Sequence, residues 1–240
     1  MIRAQSDKDY LSHMVNLSDI SKIFLINKPI EWTSFDVVKK IRGIIQKKYN
    51  VKKIKVGHAG TLDPKASGLL IVCTGKKTKQ MKLFENLDKT YIGIMKIGCV
   101  TDSFDSETKE KNHKKYKFIS KNDIEEVFCN FIGDQKQKPP IFSAVKINGE
   151  RLYKKARRGE LDIRIQARKI RVNNLSIIDI SLPFIKFEVE CTNGTYIRSL
   201  VNYIGEKLTC GAYLYSLQRT KIGDFELQKS IDIKDVLKSI

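Results

Sequence analysis

Residues 57–70 read GHAGTLDPKASGLL and surround one carboxylate, Asp63, with three glycines, a proline, a threonine and a histidine. Gly57, Gly60 and Gly68 permit backbone shapes that side chains disfavour, and Pro64 fixes the chain immediately after the acid. The apolar run LLIVC (69–73) follows at once and reads as a buried strand. A carboxylate on a stiff loop beside a buried strand is the arrangement of a positioned catalytic group. The same spacing also fits a tight turn in which Asp63 caps its own backbone.

The elements around this loop follow from periodicity. The run IFLIN (23–27) reads as a short strand ending at Lys28-Pro29, and Thr33-x-x-Asp36 is a capping-box signature. Phe35, Val38, Ile41 and Ile45 then fall near helical spacing, and a basic loop (Lys47, Lys48, Lys52, Lys53, Lys55) leads to Asp63. Met81, Phe84 and Leu87 suit a helix, and TYIGIMKIG (90–98) suits a strand rich in β-formers. Residues 101–118 have no apolar periodicity and read as a charged loop. Ser120-x-x-Asp123 opens a helix with Ile124, Val127, Phe128 and Phe131 on one face, closed by Gly133. Residues 135–168 hold a Pro-Pro pair, an Asn148-Gly149 hairpin signal and the basic run KKARRGE. Ile185, Phe187, Val189 and Cys191 alternate with Lys186, Glu188 and Glu190, the pattern of a half-buried strand. Ile197, Leu200, Val201, Ile204 and Leu208 line a helix face, followed by a strand over 213–220 and a short helix from about Asp232. Strands and helices mix without a βαβ rhythm, which argues for an α+β fold. No repeat or Gly/Ser linker divides the chain, so one domain is expected over 21–240, preceded by an extension of residues 1–20.

Composition narrows the class. Forty-five basic against 27 acidic residues give a net charge of +18, which favours a polyanionic partner such as nucleic acid. A chain rich in Lys, Ile and Asn is also what a compositionally biased genome produces. No apolar stretch approaches the roughly 18 residues of a membrane span. The first 21 residues lack the apolar centre of a secretion signal and are too acidic for a transit peptide, so a cytoplasmic location is expected. Five cysteines without a C-x-x-C pair, and three dispersed histidines, argue against a disulfide framework and against a zinc site.

The stretch GHAGTLDPKASGLL resembles the catalytic motif of the TruB family of tRNA pseudouridine synthases, G-H-x-G-T-L-D-P-x-A-x-G. Four further stretches match the family in order: FLINKPIEWTSFDVV, KTYIGIMKIG, CTNGTYIRSL and GAYLYSLQRTKIGDF. The resemblance covers about residues 24–225. It implies a pseudouridine-synthase-like fold, a mixed and largely antiparallel central sheet flanked by helices, with an RNA-binding insertion. It implies isomerisation of uridine 55 in the tRNA T-loop, with the T-arm of tRNA as partner and no obligate protein partner, and it implies no cofactor and no metal.

By the same resemblance Asp63 is the catalytic aspartate. Lys28 would support the site, although a turn closing a strand fits its local pattern equally. Tyr91 would stack on the target base, where an isolated strand tyrosine otherwise reads as packing. Arg198 would grip Asp63 bidentately and keep the acid ionised and oriented, with Tyr196 completing the pocket wall. Without that context both are ordinary first-turn residues. Leu217 would lie under the base and His58 near the flipped-out nucleotides. Gln218 stands where many relatives carry a second arginine. The basic segments 47–55, 76–79 and 154–171 suit recognition of RNA by shape, and 135–168 is implied to be a mobile insertion folding over the T-arm. The plain alternative for that segment is a static hairpin with solvated charges.

Many relatives continue into a small RNA-binding domain of the PUA type. The sequence ends soon after the last motif, so a catalytic domain without that appendage is expected. Two other readings fit parts of the pattern. A non-catalytic tRNA-binding or chaperone protein would need the fold and the charge but not Asp63, Tyr91 and Arg198 together. A glycosidase or nucleosidase would normally use two catalytic acids, and the matched motifs supply one.

Overall fold

The computed structural model describes residues 20–160 and 162–240. The expected extension of residues 1–20 therefore lies almost wholly outside the described residues. Apolar alternation and full apolar runs build a nine-stranded sheet in the order β1-β3-β10-β4-β9-β8-β5, with β2 paired to β3 and β11 to β10. The strands are β1 (Ile23–Lys28), β2 (Val56–Ala59), β3 (Ala66–Thr74), β4 (Lys89–Ile97), β5 (Gly133–Gln137), β8 (Arg168–Ser181), β9 (Phe184–Cys191), β10 (Ala212–Ile222) and β11 (Phe225–Glu226). Among the described residues, β3 and β10 pair in parallel and the other strand pairs of the sheet are antiparallel. The expected α+β class, with a mixed and largely antiparallel sheet flanked by helices, is what the chain adopts.

The apolar run 69–73 is buried on both faces of β3. Leu70 and Val72 pack with Val37, Val38, Ile41 and Ile45 of helix α1 (Ser34–Tyr49). Leu69, Ile71 and Cys73 pack on the opposite side with Ala59 and Ile222. Burial on both faces explains why this run is continuously apolar while β9 alternates. In β9 the inward residues are Ile185, Phe187, Val189 and Cys191, as the alternation predicts. They meet Ile124 and Phe128 of α3 (Lys121–Cys129), and Leu200, Val201 and Ile204 of α5 (Ile197–Lys207). Each such fully buried aliphatic side chain contributes about 1.5–3 kcal/mol.

Both capping boxes form, Thr33 with Asp36 and Ser120 with Asp123. The Asn148-Gly149 signal becomes a hairpin between β6 (Lys146–Ile147) and β7 (Glu150–Arg151), with φ of 52° and 80° at the two turn residues. The KKARRGE run begins inside a short helix, α4 (Leu152–Arg157).

Other expectations are corrected. Phe35 is exposed, and Val37 takes its place on the inward face of α1. Lys47 and Lys48 belong to the last turn of α1 rather than to a loop. Helix α2 (Met81–Glu85) stops before Leu87 and follows a 3-10 turn over Gly75–Gln80. The chain closes on a 3-10 segment, Ile233–Ser239, rather than an α-helix. The 14-residue strand β8 has no counterpart in the expected elements. Its exposed and buried positions alternate only over part of its length, with register shifts against β9.

Candidate active site

Asp63 sits in the turn 60–65 that joins β2 to β3, and Ser34, Glu31 and Arg219 hold that turn. The Leu62 N–H donates to Ser34 Oγ at 2.9 Å, and the same hydroxyl donates back to the Leu62 carbonyl at 3.1 Å. Ser34 is buried at the start of α1, so the helix carries the loop with it. The Glu31 N–H donates to the Pro64 carbonyl at 2.8 Å. From the other side, Arg219 of β10 is almost wholly buried, and its Nε and Nη2 donate to the carbonyls of Leu69 (2.7 Å) and Gly60 (3.1 Å). Arg219 thus ties the turn to the strand that follows it. Gly68 makes this approach possible. It pairs with Arg219 in parallel register at φ +104°, and a Cβ there would lie 2.3 Å from the Arg219 carbonyl oxygen.

The Asp63 side chain is 41% exposed, and one of its oxygens lies 2.9 Å from Arg198 Nε. Arg198 enters from the first turn of α5 and is buried. The expected pairing is therefore present, but its geometry differs from a bidentate grip. Nε alone reaches Asp63, because Nη1 donates to the carbonyls of Ser103 and Phe142 and Nη2 donates to Phe142, each at 3.1 Å. One guanidinium joins the Asp63 turn, the 101–108 loop and the 138–143 segment.

A second carboxylate shares that guanidinium. Asp105 is buried, and its Oδ2 lies 3.5 Å from Arg198 Nε. Its Oδ1 accepts from Ser103 Oγ at 2.5 Å and from the Glu107 N–H at 2.9 Å. Burial pushes the Asp105 carboxyl above its ordinary pKa, against the opposing pull of Arg198 and of these hydrogen bonds. Sequence reading missed Asp105 because the run TDSFDSET has no apolar period. The clustering of Ser, Thr and Asp in that run, a turn built on side-chain hydrogen bonds, was the available signal.

The remaining expected residues divide. The Asp63 charge acts on Lys28, Tyr91, Asp105 and Tyr196. Tyr91 lies on β4 opposite Arg219. Burial raises the pKa of its phenol while the guanidinium opposes the shift. Tyr196 caps α5, and its backbone is clamped by Gln137, whose Oε1 accepts from the Tyr196 N–H at 2.7 Å and whose Nε2 donates to the carbonyl at 3.0 Å. Burial raises its phenol as well. Lys28 is buried and its ammonium donates to the carbonyls of Pro29 (2.8 Å) and Trp32 (2.6 Å), so it shapes the segment that carries Ser34. Burial lowers its pKa to about 8. Leu217 is half-buried on β10, beside Ala66 of β3 and Gly93 of β4. His58 lies on β2 opposite Val72, with a buried Nδ1 that has no hydrogen-bond partner. Burial and then Arg219 lower its pKa.

The site therefore offers one accessible carboxylate beside a buried arginine, with the phenols of Tyr91 on β4 and Tyr196 at the start of α5 and the half-buried Leu217 on β10. Such a group is fixed in orientation and available to act at an electrophilic carbon or to move a proton.

Residues 46–197 match the TruB family pseudouridylate synthase (N terminal domain). The chain is similar to tRNA pseudouridine synthase B of Chlorobium chlorochromatii, 44% identical over 219 residues that cover 91% of this chain and 85% of the relative. It is 45% identical to the protein of the same name from Chloroherpeton thalassium, covering 91% of this chain and 90% of that one. Among solved structures, one chain of a Cbf5-Nop10-Gar1 complex superimposes with a TM-score of 0.69 at 27% identity, covering 93% of this chain and 56% of the other. The present chain thus spans little more than half of that structural relative. A match over more than half of the sequence, joined to relatives aligned over nine-tenths of it, means that the chain belongs to the TruB family of pseudouridylate synthases.

Proposed function

We propose that this protein converts uridine 55 in the T-loop of tRNA to pseudouridine, with Asp63 as the catalytic carboxylate. The observation that carries the reading is Asp63 held 2.9 Å from the buried Arg198, at the centre of the family motif. The reaction breaks the C1′–N1 bond and forms C1′–C5; C5 loses its proton to solvent and N1 gains one. Atoms and electrons balance without an oxidant or a hydrolytic water.

A stacked base is out of reach of such a site, so the uridine is extruded first, at a cost of a few kcal/mol. The flat face of Tyr91 receives the base and Leu217 supports it from below, which offsets part of that cost. Asp63 acts at the ribose or the base as nucleophile or proton acceptor. Arg198 and Asp105 hold it at one orientation, Tyr196 closes the wall, Lys28 stiffens the supporting turn, and His58 faces the displaced nucleotides. Residues 21–240 act as the catalytic domain, and 135–168 folds over the T-arm as its RNA-binding insertion. The net charge of +18 suits the tRNA phosphates. No helix of the described residues is long and apolar enough to cross a membrane, and a cytoplasmic site of action accords with a tRNA substrate.

Carbodiimide modification and primer extension on tRNA transcripts treated with the protein test the position. A stop specific to uridine 55, lost when that base is changed to cytidine, is the expected result. Pseudouridine elsewhere with none at 55 would refute the assignment.

A further inference from the structure

The fold brings together a thiol, a carboxylate and an imidazole that the family chemistry does not use. The donor atoms of Cys99, Glu110 and His113 all lie within 4.8 Å of one another. Their spacing, Cys-x10-Glu-x2-His, matches no zinc pattern recognisable in sequence, and counting C-x-x-C pairs and histidines points away from a metal. The backbone assembles them instead. Val100 and Lys111 exchange backbone hydrogen bonds at 3.0 and 2.8 Å, and the Lys114 N–H donates to the Gly98 carbonyl at 2.8 Å. These bonds close the mouth of the loop 100–111, with Cys99 on one side and Glu110 and His113 on the other.

We propose that Cys99, Glu110 and His113 form a zinc-binding site that clips this loop shut. Thiolate, imidazole and carboxylate together are a zinc donor set, with a fourth position for water. Tetrahedral zinc bonds of about 2.0–2.3 Å require the three donors to draw in by roughly 1 Å. His113 is exposed and supplies that movement, whereas Cys99 is buried and fixed. The carboxylate is already oriented: Glu110 Oε1 accepts from Lys96 Nζ at 2.7 Å and from the Tyr213 hydroxyl at 2.6 Å, and the Cys99 thiol approaches the same carboxylate. Zinc takes the place of the thiol proton, which leaves to solvent. The two anionic ligands then balance the ion while Lys96 remains paired to Glu110. The same loop carries Ser103 and Asp105, and Asp105 faces Arg198. A clip at the mouth therefore fixes the segment that helps to orient the arginine of the active site.

Cobalt(II) titration of the reduced full chain reads the site directly, because a thiolate–cobalt bond gives a near-ultraviolet charge-transfer band. One equivalent is expected to saturate the band, and zinc(II) is expected to displace it. Cys99→Ser should abolish the band, and Cys129→Ser, at the exposed cysteine, should leave it intact. His113→Ala, on an exposed side chain that does not threaten folding, should weaken cobalt binding at least about tenfold. Absence of the band, its survival in Cys99→Ser, or unchanged affinity in His113→Ala would overturn the site. Zinc should also slow hydrogen exchange at the amides of Val100 and Lys111, and exchange unaltered in the zinc-loaded chain would overturn the clip.

Discussion

Replacing Arg198 by lysine keeps a positive charge near Asp63 and removes the fork that connects three segments. A lysine ammonium is a point charge that cannot reach Asp63 while also serving the carbonyls of Ser103 and Phe142. The charge-assisted hydrogen bond to Asp63 is worth about 1.5–3 kcal/mol. At about 1.36 kcal/mol per decade that corresponds to roughly 10- to 150-fold in rate. The Asp63 side chain is 41% exposed, so water offsets part of the loss and about 10- to 30-fold is expected. The two carbonyls left without their donor cost a further 1–3 kcal/mol each, roughly, in stability. For a chain of this size that lowers Tm by about 4 °C or more. Single-turnover tritium release at saturating enzyme, well below the variant's Tm, separates the chemical step from RNA affinity, which is measured alongside. A rate within twofold of wild type would refute the claim that Arg198 orients Asp63, as would a loss confined to RNA binding.

Three other outcomes follow from the same contacts. Ser34→Ala removes the hydroxyl that serves both polar groups of Leu62. It should cost about 1–3 kcal/mol in denaturant unfolding and slow the reaction, and a fully stable, fully active variant would contradict the pinned loop. Burial lowers Lys28 from 10.5 to about 8. Between those values the unfolded chain holds a proton that the folded chain has released, so this group adds stability as pH rises from about 8 to 10.5. Relative to Lys28→Met, wild type should therefore gain up to about 3 kcal/mol across that window in thermal or denaturant melts, and parallel pH profiles would contradict the burial of an ionisable amine there. Limited proteolysis should nick the segment 135–168 in the free protein and spare it when tRNA is bound, whereas equal cleavage in both states would rule out a closing insertion.

What was legible in the sequence was whatever repeats at short range. The two capping boxes, the alternation of β9 and the Asn148-Gly149 hairpin each depend on residues within a few positions of one another, and each forms as expected. The Asp63–Arg198 pair spans 135 positions (198 − 63) and was legible only through family resemblance. Its details were hidden because they depend on tertiary packing. The carbonyls of Ser103 and Phe142 occupy the end of the guanidinium, which turns the expected two-point grip into a single contact. Asp105 escaped notice, and Arg219 showed only as part of the matched stretch GAYLYSLQRTKIGDF, for a related reason. Arg219 is buried against carbonyls supplied from distant segments, and Asp105 meets Arg198 across the fold, with only its Ser/Thr-rich turn to mark it locally. Phe35 misled because it lies three positions before Val38 and so fits helical spacing, whereas α1 turns Ser34 and Val37 inward and leaves Phe35 exposed.

The central claim is that the Asp63 carboxylate performs the chemistry. It is tested most directly by tritium release from tRNA transcripts carrying [5-³H]uridine, comparing wild type with the nearly isosteric Asp63→Asn on T-loops with and without the target uridine. Release by wild type alone, dependent on that uridine, is expected, with Asp63→Asn folded, RNA-bound and inactive. Comparable release by Asp63→Asn would contradict that claim.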